Sequence, residues 1–139
     1  MDKQHFAIDR RHARIETEIS CRVGRPDAGS CDATIINLSA GGLKLECNRK
    51  TYTTIIPAEQ STPGQVNDVP VIIKFSLSAI GRRAMTMQLT AMVIHSERLA
   101  QDRFHIGIQF TGISKANMNR LENYIDQVNA VSNDSSMHT

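Results

Sequence analysis

The chain has no tryptophan, two tyrosines and four phenylalanines among its 139 residues. Proteins that hold single-stranded nucleic acid stack bases on aromatic platforms, and so low an aromatic content speaks against that class. An excess of one charge is missing too. Sixteen basic and 14 acidic side chains leave a formal net charge of +2, too little field for a non-specific nucleic-acid coat. Cysteine is scarce and odd in number: Cys21, Cys31 and Cys47 show no C-x-x-C spacing. Neither a disulfide framework nor a zinc site follows, and each is expected as a small buried hydrophobe inside a strand. Long apolar runs are absent, the longest being Val69 to Ile73 and Ala91 to Ile94, far short of a bilayer span. Residues 1–20 carry charges throughout and no apolar h-region, so no signal peptide is expected and the expected address is cytoplasmic. Also missing are a P-loop, a Rossmann glycine run, a nucleophile elbow and an H-E-x-x-H helix. An enzyme is not expected, and neither is a cofactor or a metal.

What the chain does have is an apolar fraction of 40%, sufficient for one core in one domain. Its dominant pattern is alternation with period two, the signature of half-buried strands. Ile15, Thr17, Ile19, Cys21 and Val23 share one face of a first strand, and residues 24–29 read as a turn. Ala33 to Asn37 form a short second strand, Ser39-Ala40-Gly41-Gly42 breaks it, and Leu43, Leu45 and Cys47 alternate in a third. Residues 48–68 are rich in Thr, Pro, Gly, Asn and Gln and are expected as a long loop. Val71, Ile73, Phe75 and Leu77 mark a fourth strand, Met85 to Val93 a fifth, and Phe104, Ile106, Ile108 and Phe110 a sixth. Six strands without helices between them predict an all-β antiparallel barrel or sandwich. Only the C-terminus changes period. Ser114 can cap a helix whose Met118, Leu121, Ile125 and Val128 form an apolar stripe, lying on the barrel, plugging one end or pairing with a second copy. Residues 132–139 read as a frayed tail.

Two local features exceed what packing requires. Asp9-Arg10-Arg11-His12-Ala13-Arg14 places three arginines ahead of the first strand, and Asn37-Leu38-Ser39-Ala40-Gly41-Gly42 sits between the second and third. Taken singly, the first is a solvated basic leader and the second a tight turn. Taken together, Arg-x-x-x-Arg (Arg10, Arg14), a strand, then Asn-x-Ser-x-x-Gly (Asn37, Ser39, Gly42) entering an apolar strand resembles the PilZ domain family, over the whole chain.

That resemblance implies a six-stranded antiparallel β-barrel with a C-terminal helix over 15–131, and a flexible leader over 1–14. It also implies a bacterial receptor for the second messenger cyclic di-GMP. The residue chemistry suits such a ligand, which offers two guanines and two anionic phosphates. A guanidinium fork matches the O6/N7 edge of guanine and also pairs with phosphate, so Arg10 and Arg14 are expected at both. Arg11 is a candidate for a further phosphate or stacking contact. Asn37 occupies the family's Asp/Asn position and would accept from the guanine N1–H and amino donors, with one amide oxygen where Asp has two anionic ones. Ser39 can bond a base edge or a phosphate. Gly42, with Gly41 beside it, suits a positive φ or a close approach of backbone to ligand. Ligand would fold the leader over the barrel face, and the new surface would be read by a protein partner. Asp9, next to Arg10, opposes extra phosphates and favours one ligand per chain. The implied partners are cyclic di-GMP and a protein effector, with no nucleic-acid polymer, no membrane insertion, and a monomeric or weakly dimeric chain. The alternative is a PilZ-fold adaptor that acts through protein contacts without ligand.

His95 and His105 are expected to face one another across the last hairpin, as an ordinary cross-strand pair and not a zinc site. His12 and the pair Arg82 and Arg83 are expected as solvated side chains.

Overall fold

The computed structural model describes residues 13–57, 68–78 and 83–138, with side chains as far as residue 130. Asp9, Arg10, Arg11 and His12, and with them most of the leader, lie outside the described residues. The elements are β1 (Ile15–Gly24), β2 (Ser30–Leu38), β3 (Gly42–Cys47), α1 (Arg49–Ile55), β4 (Val69–Leu77), β5 (Met85–Ala100), β6 (Arg103–Phe110) and α2 (Lys115–His138). The six strands pair antiparallel in the closed order β1-β2-β3-β6-β5-β4. The ring closes where Cys21–Gly24 of β1 pair with Ile72–Phe75 of β4.

The alternating residues meet inside the barrel. Val23, Ile35, Leu45, Ile73, Val93 and Ile106 have no exposed surface at all, and Phe75, Leu89 and Phe104 are nearly as deep. Their outward neighbours Arg22, Lys74, Gln88 and Gln109 are exposed, which is the period-two pattern the sequence predicted. All three cysteines are free thiols, Cys21 and Cys47 buried and Cys31 partly so.

The loop expected over residues 48–68 begins instead with a helix. Its composition disguised it, because Thr51, Thr53, Thr54 and Ile55 are β-branched and weak helix formers. Tertiary contacts outweigh that propensity. The Asn48 side chain caps the first turn by accepting from the Thr51 N–H at 2.9 Å. The Tyr52 ring stacks on Phe104 with centroids 4.2 Å apart, and Ile55 and Ile56 are buried in the core.

The C-terminal helix starts as expected, with the Ser114 hydroxyl accepting from the Asn117 N–H at 3.1 Å. Leu121 and Ile125 are buried in the core cluster and Val128 packs against it. Met118, at the edge of the stripe, is 37% exposed. The stripe thus covers this chain's own barrel. Because β3 and β6 are antiparallel, α1, which follows β3, and α2, which follows β6, leave from opposite ends of the barrel.

The expected histidine pair does not form. The hairpin register is out of step for it: His95 lies opposite Gly107 and His105 opposite Glu97, and even without the extra residue of β5 at Ile94 His95 would meet Ile106. His105 turns to β3 instead, its Nε2 lying 3.0 Å from Glu46 Oε1.

Candidate functional site

The turn between β2 and β3 is braced by its own serine. The Ser39 N–H donates to the Gly42 carbonyl at 2.9 Å. The Ser39 hydroxyl accepts from the Gly41 and Gly42 N–H groups at 3.3 and 3.2 Å and donates to the Gly42 carbonyl at 3.2 Å. A hydroxyl has one proton and two lone pairs, so in this geometry its capacity is used within the turn. Ser39 is 9% exposed as a whole residue, in keeping with a brace. The Gly41 carbonyl accepts from the Phe110 N–H at 3.0 Å, which ties the turn to the end of β6.

Gly42 lies against β6. A Cβ at this position would overlap the Ile108 carbonyl oxygen and come within 3.1 Å of Gln109 Cα. The φ of Gly42 is not in the left-handed region, so the requirement is steric and comes from the neighbouring strand. The expectation of a positive φ is corrected here.

Asn37 owes its position to a bulge. Ile35 pairs with Leu45 but Asn37 pairs with Lys44, so Ile36 is an extra residue in β2. Strict alternation from Ala33 and Ile35 would send Asn37 into the core. The bulge passes the inward phase to Leu38, which is fully buried, and leaves Asn37 at the surface. A second bulge, in β1 between Glu16 and Ile19, keeps pace on the other side, and Glu16 faces Asn37 across the strands. Like charges directly opposite are unfavourable, so a neutral Asn suits the place beside Glu16.

Arg14 sits immediately before β1, next to the buried Ile15 that pairs with Leu38. It is exposed and lines a cavity of about 510 Å³ together with Asn37, Ser39, Gly41 and Gly42. Two segments distant in sequence, each singled out for its own residues, thus meet at one hollow. Its size falls in the usual range for small-molecule sites, roughly 300–1,000 Å³. Arg10 and Arg11, the other two arginines of the motif, are among the residues not described.

Three further residues belong to this hollow that the sequence did not single out. Lys44 and Gln109 line it, as does the apolar Ile94. Lys44 and Gln109 are outward positions of alternating strands, readable as solvated side chains until the register brings β3 and β6 together. Ile94 is outward by alternation from the buried Val93, and it is 47% exposed. Arg14 and Lys44 are the only charged side chains among the described lining residues, and both are positive. The hollow therefore offers cations and side-chain amides to an anionic ligand.

A second hollow, of about 500 Å³, lies between β1, β2 and β3 and is lined by Cys21, Asp32, Glu46 and Cys47 among others. Its charges are acidic. Burial pushes the Cys21 thiol up to about 12, with the Asp32 carboxylate adding to the effect. Burial likewise raises the Cys47 thiol to about 12, followed by the neighbouring thiols and acids. Neither is a thiolate near neutral pH, so neither is a nucleophile. Among the described residues no group of His, Cys, Asp or Glu is placed to hold a metal ion, and no helix is long and apolar enough to cross a membrane.

The sequence matches the family model described as the PilZ domain over residues 8–127. No curated protein matches it. Among solved structures it is similar to the PilZ domain of YcgR from Escherichia coli with c-di-GMP, at TM-score 0.59 and 15% identity, covering 93% of this chain and 98% of that one. It is also similar to the inhibitor of motility MotI/DgrA of Bacillus subtilis, at TM-score 0.61 and 12% identity, covering 86% of this chain and 50% of that one. A third is the PlzA protein of Borreliella burgdorferi in complex with c-di-GMP, at TM-score 0.57 and 9% identity, covering 90% of this chain and 55% of that one. The chain thus spans about half the length of MotI/DgrA and PlzA.

Proposed function

This chain belongs to the PilZ domain family, and from that membership and the hollow beside β2 we propose that it is a receptor for cyclic di-GMP. The observation that carries the reading is the meeting of Arg14 with Asn37 and the Ser39–Gly42 turn at one cavity whose charged side chains, among the described residues, are all basic. The YcgR and PlzA structures, which hold c-di-GMP on the same fold, support it.

In this reading Arg14, with Arg10 and Arg11 from the preceding segment, supplies guanidinium forks to guanine O6/N7 and to phosphate. Asn37 accepts from the Watson–Crick donors of a guanine. Gly41 and Gly42 bring backbone close to the ligand, and Ser39 holds that backbone in shape, which is a positioning role. Ligand bridges the arginine segment, residues 1–14, and the rigid barrel of 15–131. Ordering that segment opposes binding and must be exceeded by the contacts made. The composite surface of segment, ligand and barrel is what a protein effector reads, and the chain acts as a receptor, not an enzyme. Asp9 beside Arg10 favours one ligand per chain, and the chain works as a monomer or weak dimer in the cytoplasm of a bacterium.

The test is isothermal titration of the full chain with cyclic di-GMP, with GMP and cyclic di-AMP as controls, repeated on Arg14→Ala. Saturable, guanine-selective binding that Arg14→Ala loses while its melting temperature stays put supports the assignment. Unchanged affinity in Arg14→Ala removes the assigned site. No heat and no thermal shift with the native chain would replace the receptor reading by that of a ligand-independent adaptor.

A further inference from the structure

The far wall of the hollow, opposite the motif residues, is built from side chains that no motif contains. Cross-strand pairing runs Asn37–Lys44 between β2 and β3, Lys44–Gly107 between β3 and β6, and Gly107–His95 between β6 and β5. The outer barrel face therefore carries a row in which Asn37, Lys44 and Gly107 lie side by side, with Ile94 beyond them on its bulge. Asn37, Lys44, Gly107 and Ile94 all line the cavity. We propose that Lys44, Gly107 and Ile94 form a second ligand-binding wall, in which Lys44 faces a phosphate of cyclic di-GMP. In it the bare backbone of Gly107 and the side chain of Ile94 make the floor under a purine. This rests on the receptor reading above and adds residues to the same site.

Among the described residues Lys44 has no counter-ion. It makes no hydrogen bond or ion pair with any described residue, and the acids near it have other neighbours. Glu46, two residues along β3, lies 3.0 Å from His105 and 3.9 Å from Arg103. Glu16 lies beyond Asn37, one strand further away. A half-buried lysine over a cavity shared with Arg14 is a place for an anion.

Gly107 supplies an independent observation. A glycine inside a strand weakens it and normally marks a bend, a bulge or a close backbone approach. Gly107 does pair beside the Ile94 bulge, but the bulge does not demand a glycine there, because the φ of Gly107 is not left-handed and an added Cβ would meet His95 Cβ at 3.6 Å and Ile94 Cγ1 at 3.9 Å, ordinary contact distances. A side chain fits there as far as the protein is concerned. What the missing side chain leaves open is the cavity floor between Lys44 and Ile94. Ile94, 47% exposed, then offers apolar surface level with that opening, where the face of a base is better accommodated than water.

The experiment titrates cyclic di-GMP into the full chain and into Lys44→Gln, Lys44→Arg and Gly107→Val, with a melting curve for each. Lys44→Gln is expected to weaken binding about tenfold or more, the loss of one hydrogen bond to a charged group. Its affinity should also fall less steeply with salt than that of the native chain, because one phosphate contact is gone. Lys44→Arg retains most of the affinity. Gly107→Val keeps the melting temperature within a few degrees, on the argument that the site accepts a Cβ, and loses saturable binding. Native-like affinity and salt dependence in Lys44→Gln, or native-like affinity in Gly107→Val, overturns the second wall while leaving the receptor reading in place. A large loss of melting temperature in Gly107→Val also overturns it, because the glycine would then be explained by packing. A native chain that gives no saturable heat overturns the receptor reading and this wall with it.

Discussion

Gly42→Ala separates a structural glycine from a ligand-binding one. The new Cβ would overlap the Ile108 carbonyl oxygen, with Gln109 Cα at 3.1 Å and the Ile108 carbonyl carbon at 3.2 Å behind it. All three are backbone atoms, so no side chain can swing aside. Strands β3 and β6 must part by on the order of an ångström to restore ordinary contact. That displacement acts on Gly42↔Gln109, the first pair of the β3–β6 ladder. It also strains the bonds from Phe110 N to Gly41 O and from Ser39 N to Gly42 O, now 3.0 and 2.9 Å. Overpacking of this kind costs about 1–3 kcal/mol, and each weakened hydrogen bond adds up to about 1 kcal/mol. A domain of this size loses roughly 3–4 °C per kcal/mol, so a fall in Tm of roughly 5–15 °C is expected, by circular dichroism in the absence of ligand. Gly107→Ala is the control on the partner strand β6, where the added Cβ meets only ordinary contacts, and its Tm should move by no more than about 3 °C. A Gly42→Ala chain that melts within about 2 °C of the native one, or a Gly107→Ala chain that loses as much as Gly42→Ala, would refute the steric reasoning. If the expected fall is seen, lost ligand binding in Gly42→Ala reports a deformed turn and not a removed contact.

Two further outcomes follow from the core. Leu121→Ala empties a side chain with no exposed surface at the junction of α2 and the barrel; it should cost about 2–4 kcal/mol in urea unfolding, and a loss under about 1 kcal/mol would mean that α2 is not docked as described. Cys21 and Cys47 have their thiols raised from 9.0 to about 12. The folded chain keeps protons that the unfolded chain releases above pH 9, so this contribution to stability is whole below pH 9 and lost as pH climbs towards 12. The native chain should lose Tm more steeply over that range than a Cys21→Ala/Cys47→Ala variant, and identical slopes would contradict the burial of the two thiols.

Much of the barrel was legible before any coordinates. Burying one strand face demands alternation, and alternation survives in sequence whichever strand becomes the neighbour, so all six strands and the inward faces of most of them could be read directly. The Ser114 cap and the stripe through Leu121 and Ile125 were legible for the same kind of reason, since both are periodic or local. Helix α1 was not, because its residues favour extended backbone and only the Tyr52–Phe104 stack and the burial of Ile55 and Ile56 make it worth folding. The histidine pair failed on register: the β5–β6 hairpin sets His95 opposite Gly107 and His105 opposite Glu97, and neither the turn nor the irregularities at Val93/His95 and Arg98/Ala100 are announced by alternation alone.

By itself, then, the sequence determined the elements that depend on spacing along one chain: strand faces, the capped helix, the basic segment with Arg14, and a turn rich in Ser and Gly. Tertiary structure alone decided what those elements mean to one another. Bulges set the phase that lifts Asn37 out of the core, and Ser39 proves to be a brace only because Gly42 folds back onto it. Lys44, Gln109 and Ile94 join the cavity through pairing between strands that lie tens of residues apart. The reason is physical. Side-chain direction repeats with the local backbone and is written into neighbouring residues, whereas register depends on single inserted residues and on which strand closes the barrel.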